Sequence, residues 1–552
     1  MELGKNEELN ASSRTLDHLG LVSATFKDLG LMEKIDAILP SKDPRRIVEP
    51  KHAILAMILN GLGFSQRTLY MVPRFFENKP IDRLIGPGIT AKNLDDHALG
   101  EALDEIYAYG TTEFFATLAV QIGLENNFFG KTAHLDTTSI SVYGDYAGQD
   151  PESSAISITH GFSKDHRQDL KQMMCALCTT GAGDFPFWFE AQSGNSSDKK
   201  TFPEIIERAR AFLANMRDCP DLLWISDSAL YTKNGLLSKT GIQWTSRVPE
   251  TIKEAKDIIR MHDASISWSS NGERDVRGYK NAEFHSSYGG VKQRWILIDS
   301  KQAYEREKKT FEKNLQKKSE ALKKALWHFS HQVFGCDADA KKAFEKIQKS
   351  YPLHQLEFIV EPIMKNESRG RPKKDAQQVQ AGCRAIVQSK VNAEAVQKKL
   401  NTKGRFILAT NSTDSSLTSE RILEAYKEQQ GVERGFRFMK DPQMMVSSVF
   451  LKSPKRIEAL MAIMALTLLV YNAAQHHFRK KLIEAHESIP SQLEKPTQKP
   501  TLRWVFQTME GIHEVVLHIH AMVHCAMTGL SDLRRKIIRL FGPTAMKIYQ
   551  IA

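Results

Sequence analysis

From residue 131 the chain changes from a helical pattern to alternating or short continuous apolar runs, and this change limits the possible folds most strongly. Three such runs follow one another: TAHLDTTSISVYG, LKQMMCALCTTG and DFPFWFEAQSGN. Runs of this length and alternation are typical of β-strands. An amphipathic helix from Asp198, the apolar run LLWIS, a short helix in YTKNGLLSK and the run IQWTSRV come next. The order βββαβαβ predicts an α/β domain, with a mixed sheet and helices on its faces.

The segments on either side of this sheet predict further domains. Residues 1–125 carry apolar positions at helical spacing, as in HAILAMILNGLGF, and predict an N-terminal helical domain. After the run IQWTSRV, further strand patterns and a lysine-rich helix predict an inserted α+β domain, and GRFILAT then returns to the strand pattern of the sheet domain. The predicted domains are 1–125 (N-terminal), 126–250 and 404–485 (sheet domain), 251–403 (insertion) and 486–552 (a C-terminal tail, a candidate for dimerisation).

Composition narrows the class of protein. The 552 residues include 76 basic and 65 acidic side chains, a formal charge of +11, and 41% are hydrophobic. These values exclude collagen-like and wholly disordered classes and agree with a polyanionic partner. The most apolar stretch, 459–470, is too short to cross a membrane and predicts a buried helix. Because the N-terminus also lacks the pattern of a secretory signal, we expect a cytoplasmic protein without membrane contact.

Three carboxylates stand at informative places in this organisation. Asp136 lies inside the first strand of the sheet, Asp227 directly follows the run LLWIS, and Glu433 lies on a helix after the insertion. A charge at a buried strand requires a partner or a metal ion. If the first strand neighbours the strand after the helical crossover, the two aspartates meet at one edge, with Glu433 facing them. Such an oxygen-only site suits paired Mg²⁺ ions and phosphoryl transfer, although each acid alone could equally cap a turn or face solvent.

The predicted helix that carries Glu433 has further polar side chains on the same face. Two turns take about seven residues, so side chains at these spacings form one stripe. A phenol, an amide and two cations beside an acid suit a phosphate backbone. The stripe consists of Tyr426, Gln429, Glu433, Arg437 and Lys440. Gly431 and Gly435, next to the acid, would permit a partner to approach closely.

Together these residues resemble the DDE transposases of bacterial insertion sequences, in the group related to IS4 and most closely the IS1634 branch. The spacing from Tyr426 to Lys440 is similar to that group's signature Y-x2-R-x3-E-x6-K, with Gln429 in place of the arginine. The blocks HLDTTSISVYG, GFSKDHRQDLKQ, GNSSDKKTF, ISDSALY and SSVFLKSPKRIEALMAIMALTLLVY extend the resemblance over most of residues 131–471.

The resemblance implies a ribonuclease-H-like catalytic domain in which Asp136, Asp227 and Glu433 are the catalytic residues and hold Mg²⁺ or Mn²⁺, as two ions. It implies that Tyr426 and Lys440 bind phosphates, and the helical stripe extends this expectation to Gln429 and Arg437. The implied enzyme cuts the terminal inverted repeats of its own element and joins the freed 3′ hydroxyls to target DNA.

The resemblance also implies partners and leaves alternatives. We expect a homodimer in the synaptic complex and a bacterial cytoplasmic location, associated with the nucleoid when DNA is bound. The helices of 1–125 could form a helix-turn-helix that binds the element's ends. Two other functions stay open: a catalytically silent or repurposed DNA-binding relative, and a ribonuclease-H-like nuclease without strand transfer.

The insertion contains further candidates for DNA contact. Arg369-Gly370-Arg371-Pro372, followed by Lys373, has the form of an arm that lies in the minor groove, although a solvated basic loop is the alternative. By the resemblance, an aromatic side chain of the insertion could hold an everted base. Trp295 and Trp268 are the candidates, and both could equally be core residues.

Overall fold

The chain forms two compact units in the computed structural model, which describes residues 10–41, 43–64, 68–146, 156–181, 184–217, 219–233, 236, 241–366, 378–441, 451–519 and 522–551. The first unit comprises Met1–Ser246, Gly289–Val291 and Glu420–Ala552. The second comprises Arg247–Tyr288 and Lys292–Ser419. All three predicted catalytic acids belong to the first unit.

The N-terminal part of the first unit is helical except at its start, where the polar segment Asn10–Thr15 forms strand β1. Pro50 begins the third helix, where its missing N–H costs nothing, and Asp95 caps the sixth by accepting a hydrogen bond from the Ala98 N–H at 2.8 Å. The helices are α1 (Leu19–Asp28), α2 (Leu31–Ile38), α3 (Pro50–Leu62), α4 (Val72–Phe76), α5 (Ile81–Leu84), α6 (Asp96–Tyr109) and α7 (Thr111–Glu125).

The sheet of the first unit has the predicted strands. They are β2 (Thr132–Val142), β3 (Lys171–Thr180), β4 (Phe185–Ser193), β5 (Leu223–Ser226) and β6 (Trp244–Arg247), and helix α8 (Asp198–Ala214) connects β4 to β5. The strand order is β4-β3-β2-β5-β6. The first three strands in the chain pair antiparallel, β5 is parallel to β2, and β6 is parallel to β5. This mixed sheet with its helical crossover confirms the predicted ribonuclease-H-like α/β class.

The second unit combines strands and helices, as predicted for the insertion. Its strands are β7 (Tyr279–Ser286), β8 (Gln293–Ser300), β9 (His354–Asn366), β10 (Gln378–Val391) and β11 (Arg405–Thr410), and its helices are α9 (Lys253–Arg260), α10 (Lys301–His331), α11 (Asp337–Ser350) and α12 (Ala393–Leu400). The strands β9 and β10 form a long antiparallel hairpin. Strand β11 pairs antiparallel with β8 over its full length and is grouped with this unit, and the predicted boundary of the insertion at residue 403 stays a prediction.

The remainder of the chain completes the first unit. It contains the helices α13 (Ser419–Glu428), α14 (Gln430–Met439), α15 (Pro454–Glu484), α16 (Leu502–Thr508), α17 (Asp532–Phe541) and α18 (Pro543–Ile548), and the strands β12 (Ile489–Pro490), β13 (Pro496–Thr497), β14 (His513–Ile519) and β15 (Met522–Thr528). Strand β14 pairs with both β1 and β15. The predicted tail is therefore folded against the N-terminal part, and a role in dimerisation stays a prediction.

Helix α15 contains the apolar stretch that the sequence predicted to be a buried helix. Of the helices in the described ranges, it is the one long and apolar enough to cross a membrane, but 78% of its most apolar window is buried in the protein. It packs against α3, α6, α7 and β4. The stretch is therefore part of the core that joins the helical part to the sheet.

The buried His18 makes the stability of this core dependent on pH. Its side chain is 3% exposed and stacks on Phe506, and its Nε2 lies 2.8 Å from the Leu62 carbonyl oxygen. Burial lowers the pKa of His18 from 6.5 to about 4. As the pH falls below 6.5 the unfolded chain takes up the proton first, so the stabilisation is complete above pH 6.5 and is lost towards pH 4.

We expect the free energy of unfolding to fall by about 2 kcal/mol through His18 alone between pH 7.5 and 5. Urea unfolding of the wild type and of His18→Gln at both pH values would measure this difference. Glutamine can still donate a hydrogen bond to the Leu62 carbonyl but does not titrate. An equal pH dependence in the two proteins would contradict the assignment.

Candidate active site

Asp136 on β2 and Asp227, directly after β5, occupy neighbouring positions along two paired parallel strands. In the register of β2 and β5, Leu135 is opposite Ser226, and each aspartate is the next residue along its chain segment. Neighbouring strands are separated by about 5 Å, and side chains at equivalent register positions leave the sheet on the same face. The predicted meeting of these two acids at one edge therefore agrees with the strand pairing.

The backbone around both aspartates is fixed by short hydrogen bonds. Asp136 Oδ1 accepts a hydrogen bond from the Thr137 N–H at 2.7 Å, and Asp227 Oδ1 accepts one from the Ala229 N–H at 2.8 Å. The Ser246 hydroxyl donates to the Asp227 carbonyl oxygen at 2.7 Å. The bond to Ala229 also belongs to a turn, so Asp227 has the turn-capping role that the sequence left open as an alternative.

Lys164 is a residue of this edge that the sequence analysis did not single out. Its Nζ lies 3.9 Å from Asp136 Oδ1 and donates hydrogen bonds to the Thr137 carbonyl oxygen and Oγ1 at 2.6 and 3.0 Å. The block GFSKDHRQDLKQ, which contributes to the family resemblance, contains Lys164 and could have indicated its position near the site. The ammonium group gives the carboxylate edge a fixed positive charge.

Helix α14, which carries Glu433, covers the face of the sheet on which Asp136 lies. Side chains at every second position of a strand share a face, so Asp136 is on the side of Ile140 and Val142. Those two residues belong to the same apolar cluster as Val432 and Phe436 of α14. Glu433 itself is exposed, at a position that flanks this buried face of the helix. The helix that carries Glu433 therefore lies on the same face of the sheet as Asp136.

The polar stripe of this region is divided between two helices. The predicted single helix is interrupted at one residue: the first segment ends at Glu428 and the second begins at Gln430, while Gln429 between them keeps helical dihedral angles (φ −54°, ψ −22°). The Val432 N–H donates to the Gln429 carbonyl oxygen at 3.1 Å, as in a tighter 3₁₀ turn. Tyr426 lies on α13, whereas Glu433 and Arg437 lie on α14.

Gly431 and Gly435 allow a close approach, but the approaching groups belong to this chain. A Cβ atom at residue 431 would overlap the carboxylate of Asp184, and one at residue 435 would come 3.0 Å from Leu468 Cδ2. The expectation of an external partner at these glycines is therefore corrected. Packing of α14 on its neighbours accounts for both.

The phosphate-binding candidates differ in their surroundings. Lys440 Nζ donates to both carboxylate oxygens of Asp165, at 2.9 and 2.7 Å, next to Lys164. Arg437 is exposed. Tyr426 and Gln429 are half-buried. Binding of phosphate by these four residues stays a prediction.

The chemistry of the donor set fits a hard divalent cation, but the three acids do not yet form one group. Two aspartates at adjacent positions supply the carboxylate oxygens that such ions prefer. Among the residues that the structure describes, no group of three or more His, Cys, Asp or Glu side chains is arranged to hold a metal ion. The assignment of Asp136, Asp227 and Glu433 to one metal site therefore stays a prediction.

The residues of the insertion that were candidates for DNA contact differ in their surroundings. Trp295 is fully buried in β8, and its Nε1–H donates to Gln293 Oε1 at 3.0 Å, so the structure shows the core alternative and leaves no ring face for a base. Trp268 is half-buried beneath the Lys280 ammonium, which lies 4.1 Å from its ring centroid. Arg369, Arg371 and Lys373 lie outside the described residues.

Comparisons with known proteins identify families that match two parts of the chain. Residues 131–470 match the family model described as Transposase DDE domain, and residues 11–120 match one described as a domain of unknown function, DUF4277. None of the curated proteins matches the sequence. The chain is similar to one in the cryo-EM structure of the piggyBac transposase synaptic complex with hairpin DNA, with 8% identity, a TM-score of 0.37, and coverage of 91% of this chain and 82% of that chain. The first match spans more than half of the chain and includes Asp136, Asp227 and Glu433.

Proposed function

We propose a specific reaction for this chain, which belongs to the transposase DDE domain family and is thus a DNA transposase. It cuts the terminal inverted repeats of its own insertion sequence and joins the freed 3′ hydroxyl ends to target DNA. The observation that carries this proposal is the adjacent position of Asp136 and Asp227 on paired parallel strands. Both strand transfer and hydrolysis are displacements at phosphorus, so one acidic edge suits both reactions.

DDE transposases use divalent metal ions, and we propose that Asp136, Asp227 and Glu433 hold Mg²⁺ or Mn²⁺, as two ions. When bound, such an ion supplies Lewis-acid stabilisation of the charge that develops on the phosphodiester. Glu433 is exposed and forms no ion pair or hydrogen bond through its carboxylate with any described residue. Its side chain is therefore free to change rotamer towards the aspartates.

The residues around the acids have supporting roles in this proposal. Lys164, 3.9 Å from Asp136, brings positive charge to the edge and would attract the phosphate backbone of the DNA. Lys440 would bind a phosphate in exchange for its ion pair with Asp165. Tyr426 and Gln429 would contact phosphates on either side of the cut, and Arg437, one helical turn after Glu433, would contact phosphates further along the strand. Since glutamine donates a hydrogen bond without a charge, its contact would be weaker than that of the arginine in the family signature.

Family membership does not specify the branch, the oligomeric state, the location or the end-binding domain, which are therefore part of this proposal. We place the chain in the IS1634 branch and propose that it acts as a homodimer on two element ends in the bacterial cytoplasm, with residues 1–125 contributing to end binding. The positive formal charge of +11 agrees with DNA as the partner.

The test is a strand-transfer assay with the full-length protein. A labelled duplex that carries one element end, taken from the DNA flanking the gene, is incubated with a target plasmid and Mg²⁺. We expect a cut at the element boundary and a labelled product joined to the plasmid. Chelation by EDTA should abolish both products, and added Mg²⁺ should restore them.

Each other outcome contradicts a stated part of the proposal. Cut ends without joined products would favour the nuclease alternative, because strand transfer would be missing. Binding of the end without a cut, in either Mg²⁺ or Mn²⁺, would favour the silent or repurposed DNA-binding relative.

A further inference from the structure

A second site is formed by arginines on the side of α14 next to Glu433. A cavity of about 790 Å³ lies between α14, α15 and the beginning of α16, within the first unit. Four guanidinium groups and two carboxylates line it: Arg434, Arg437, Arg479, Arg503, Asp184 and Asp441. We call this cavity the arginine pocket. Its volume is in the range of pockets that bind organic ligands.

The charges of the arginine pocket do not balance. Arg434 forms an ion pair with Asp184 at 2.6 Å, and Arg503 forms one with Asp441 at 2.9 Å. The other two arginines find no carboxylate among the described residues, so the six groups carry two excess positive charges.

Of these two arginines, Arg479 is held in place by a neutral acceptor. Its Nε–H donates to the Pro500 carbonyl oxygen at 2.8 Å, and the side chain is half-buried. Burial is the largest cause of the lowered pKa of Arg479; the charge of Arg434 lowers it further, whereas Tyr471 and Asp184 act in the opposite direction. A partly desolvated guanidinium without an ion pair of its own gains most from an anion that can accept several of its N–H groups.

The walls of the pocket add polar and aromatic surface next to these cations. Tyr471 and Phe438 have ring centroids 4.7 Å apart, and both line the cavity. The Tyr471 hydroxyl accepts a hydrogen bond from the Arg503 N–H at 3.0 Å. Guanidinium groups beside aromatic faces suit the phosphate and sugar of a nucleic acid strand.

We infer that the arginine pocket binds phosphodiester groups of one DNA strand, at a site separate from the acidic edge, through Arg437 and Arg479. The inference rests on the proposed function, which supplies the DNA. Arg437 is one helical turn after Glu433, and side chains at this spacing are about 5 to 6 Å apart at Cβ. A strand held in the pocket would therefore continue towards the proposed cleavage site.

The test measures how end binding depends on salt. The dissociation constant of the labelled end duplex is measured by fluorescence anisotropy between about 50 and 200 mM salt for the full-length wild type, Arg437→Gln, Arg479→Gln and the double variant. We expect each single change to lower the slope of log K against log salt by about one, and the double variant by about two. Arg437→Lys should retain the wild-type slope.

Two controls test whether a change in slope comes from the arginine pocket or from a general loss of charge or of folding. Arg210→Gln removes an exposed arginine of α8, outside the pocket, and should leave the slope unchanged. Arg437 is exposed, so its replacement tests the site even if Arg479→Gln weakens folding, which a thermal melt would show.

The outcomes separate this inference from the proposed function. A wild type that binds and cuts the ends, with an unchanged slope in Arg437→Gln and in a folded Arg479→Gln, overturns the inference alone. An equal loss of slope in Arg210→Gln also overturns it, because the effect would not belong to the pocket. If the wild type binds the ends but never cuts them, and the variants show the expected changes in slope, the proposed function is contradicted and DNA binding by the pocket is supported.

Discussion

Asp136→Asn and Asp227→Asn, made separately, should each lower the rate of end cleavage by about a thousandfold or more while the protein still folds. Asparagine keeps a side-chain oxygen that can accept the hydrogen bonds from the Thr137 and Ala229 N–H groups. The change removes only the negative charge that the proposed metal site requires. Cleavage of the labelled duplex measures the activity of each variant, a thermal melt checks that it folds, and an end-binding measurement checks that it still binds DNA.

Two exposed aspartates close to the same elements provide matched controls. Asp169 lies just before β3 and Asp221 just before β5, and both are exposed. Asp169→Asn and Asp221→Asn should therefore cut at the wild-type rate, since a similar loss of charge occurs away from the edge. Cleavage near the wild-type rate by Asp136→Asn or Asp227→Asn, with either metal ion, would remove these acids from the active site.

The central sheet could be predicted because its signals are local. Alternating and continuous apolar runs give the strands, and β5 after a helical crossover becomes the parallel neighbour of β2. That single pairing places Asp136 beside Asp227, so the neighbouring positions of two of the three proposed acids followed from sequence order and sheet geometry.

Other features depend on contacts between distant parts of the chain. The segment NASSRT has no apolar period, and it becomes a strand because it pairs with β14, about five hundred residues later. Helix α13 ends before Gln429, and the close approach of Gly431 to Asp184 belongs to the same turn. No local pattern specifies either contact.

The surroundings of individual side chains also could not be predicted from local sequence patterns. The sequence left Trp295 open between a core position and a base contact, and only the pairing of β8 with both neighbours shows that it is buried. Arg437 was predicted as part of a stripe with Glu433. Its position in a cavity with Arg479 depends on how α14 packs against α15, which spacing along one helix cannot give.

The third acid gives the second prediction with a large effect, because two glutamates compete for the role. Glu433 is exposed on α14, whereas Glu428, at the end of α13, has its Oε2 3.7 Å from His134 Nε2. His134 lies two residues before Asp136 on β2 and therefore on the same face of the sheet. Position alone thus favours Glu428, and the family signature favours Glu433.

We expect Glu433→Gln to lower cleavage as strongly as the aspartate variants, and Glu428→Gln to retain most of the activity, because a carboxylate beside a histidine already has a partner. The double variant Asp136→Asn with Glu433→Gln should be no less active than either single variant, since groups that act as one unit do not contribute additively. Glu424→Gln, which removes an exposed acid of α13, is the control. Loss of cleavage in Glu428→Gln together with activity in Glu433→Gln would assign the third acid to the residue beside His134, and the helix that covers the sheet would then supply DNA contacts instead of a metal ligand.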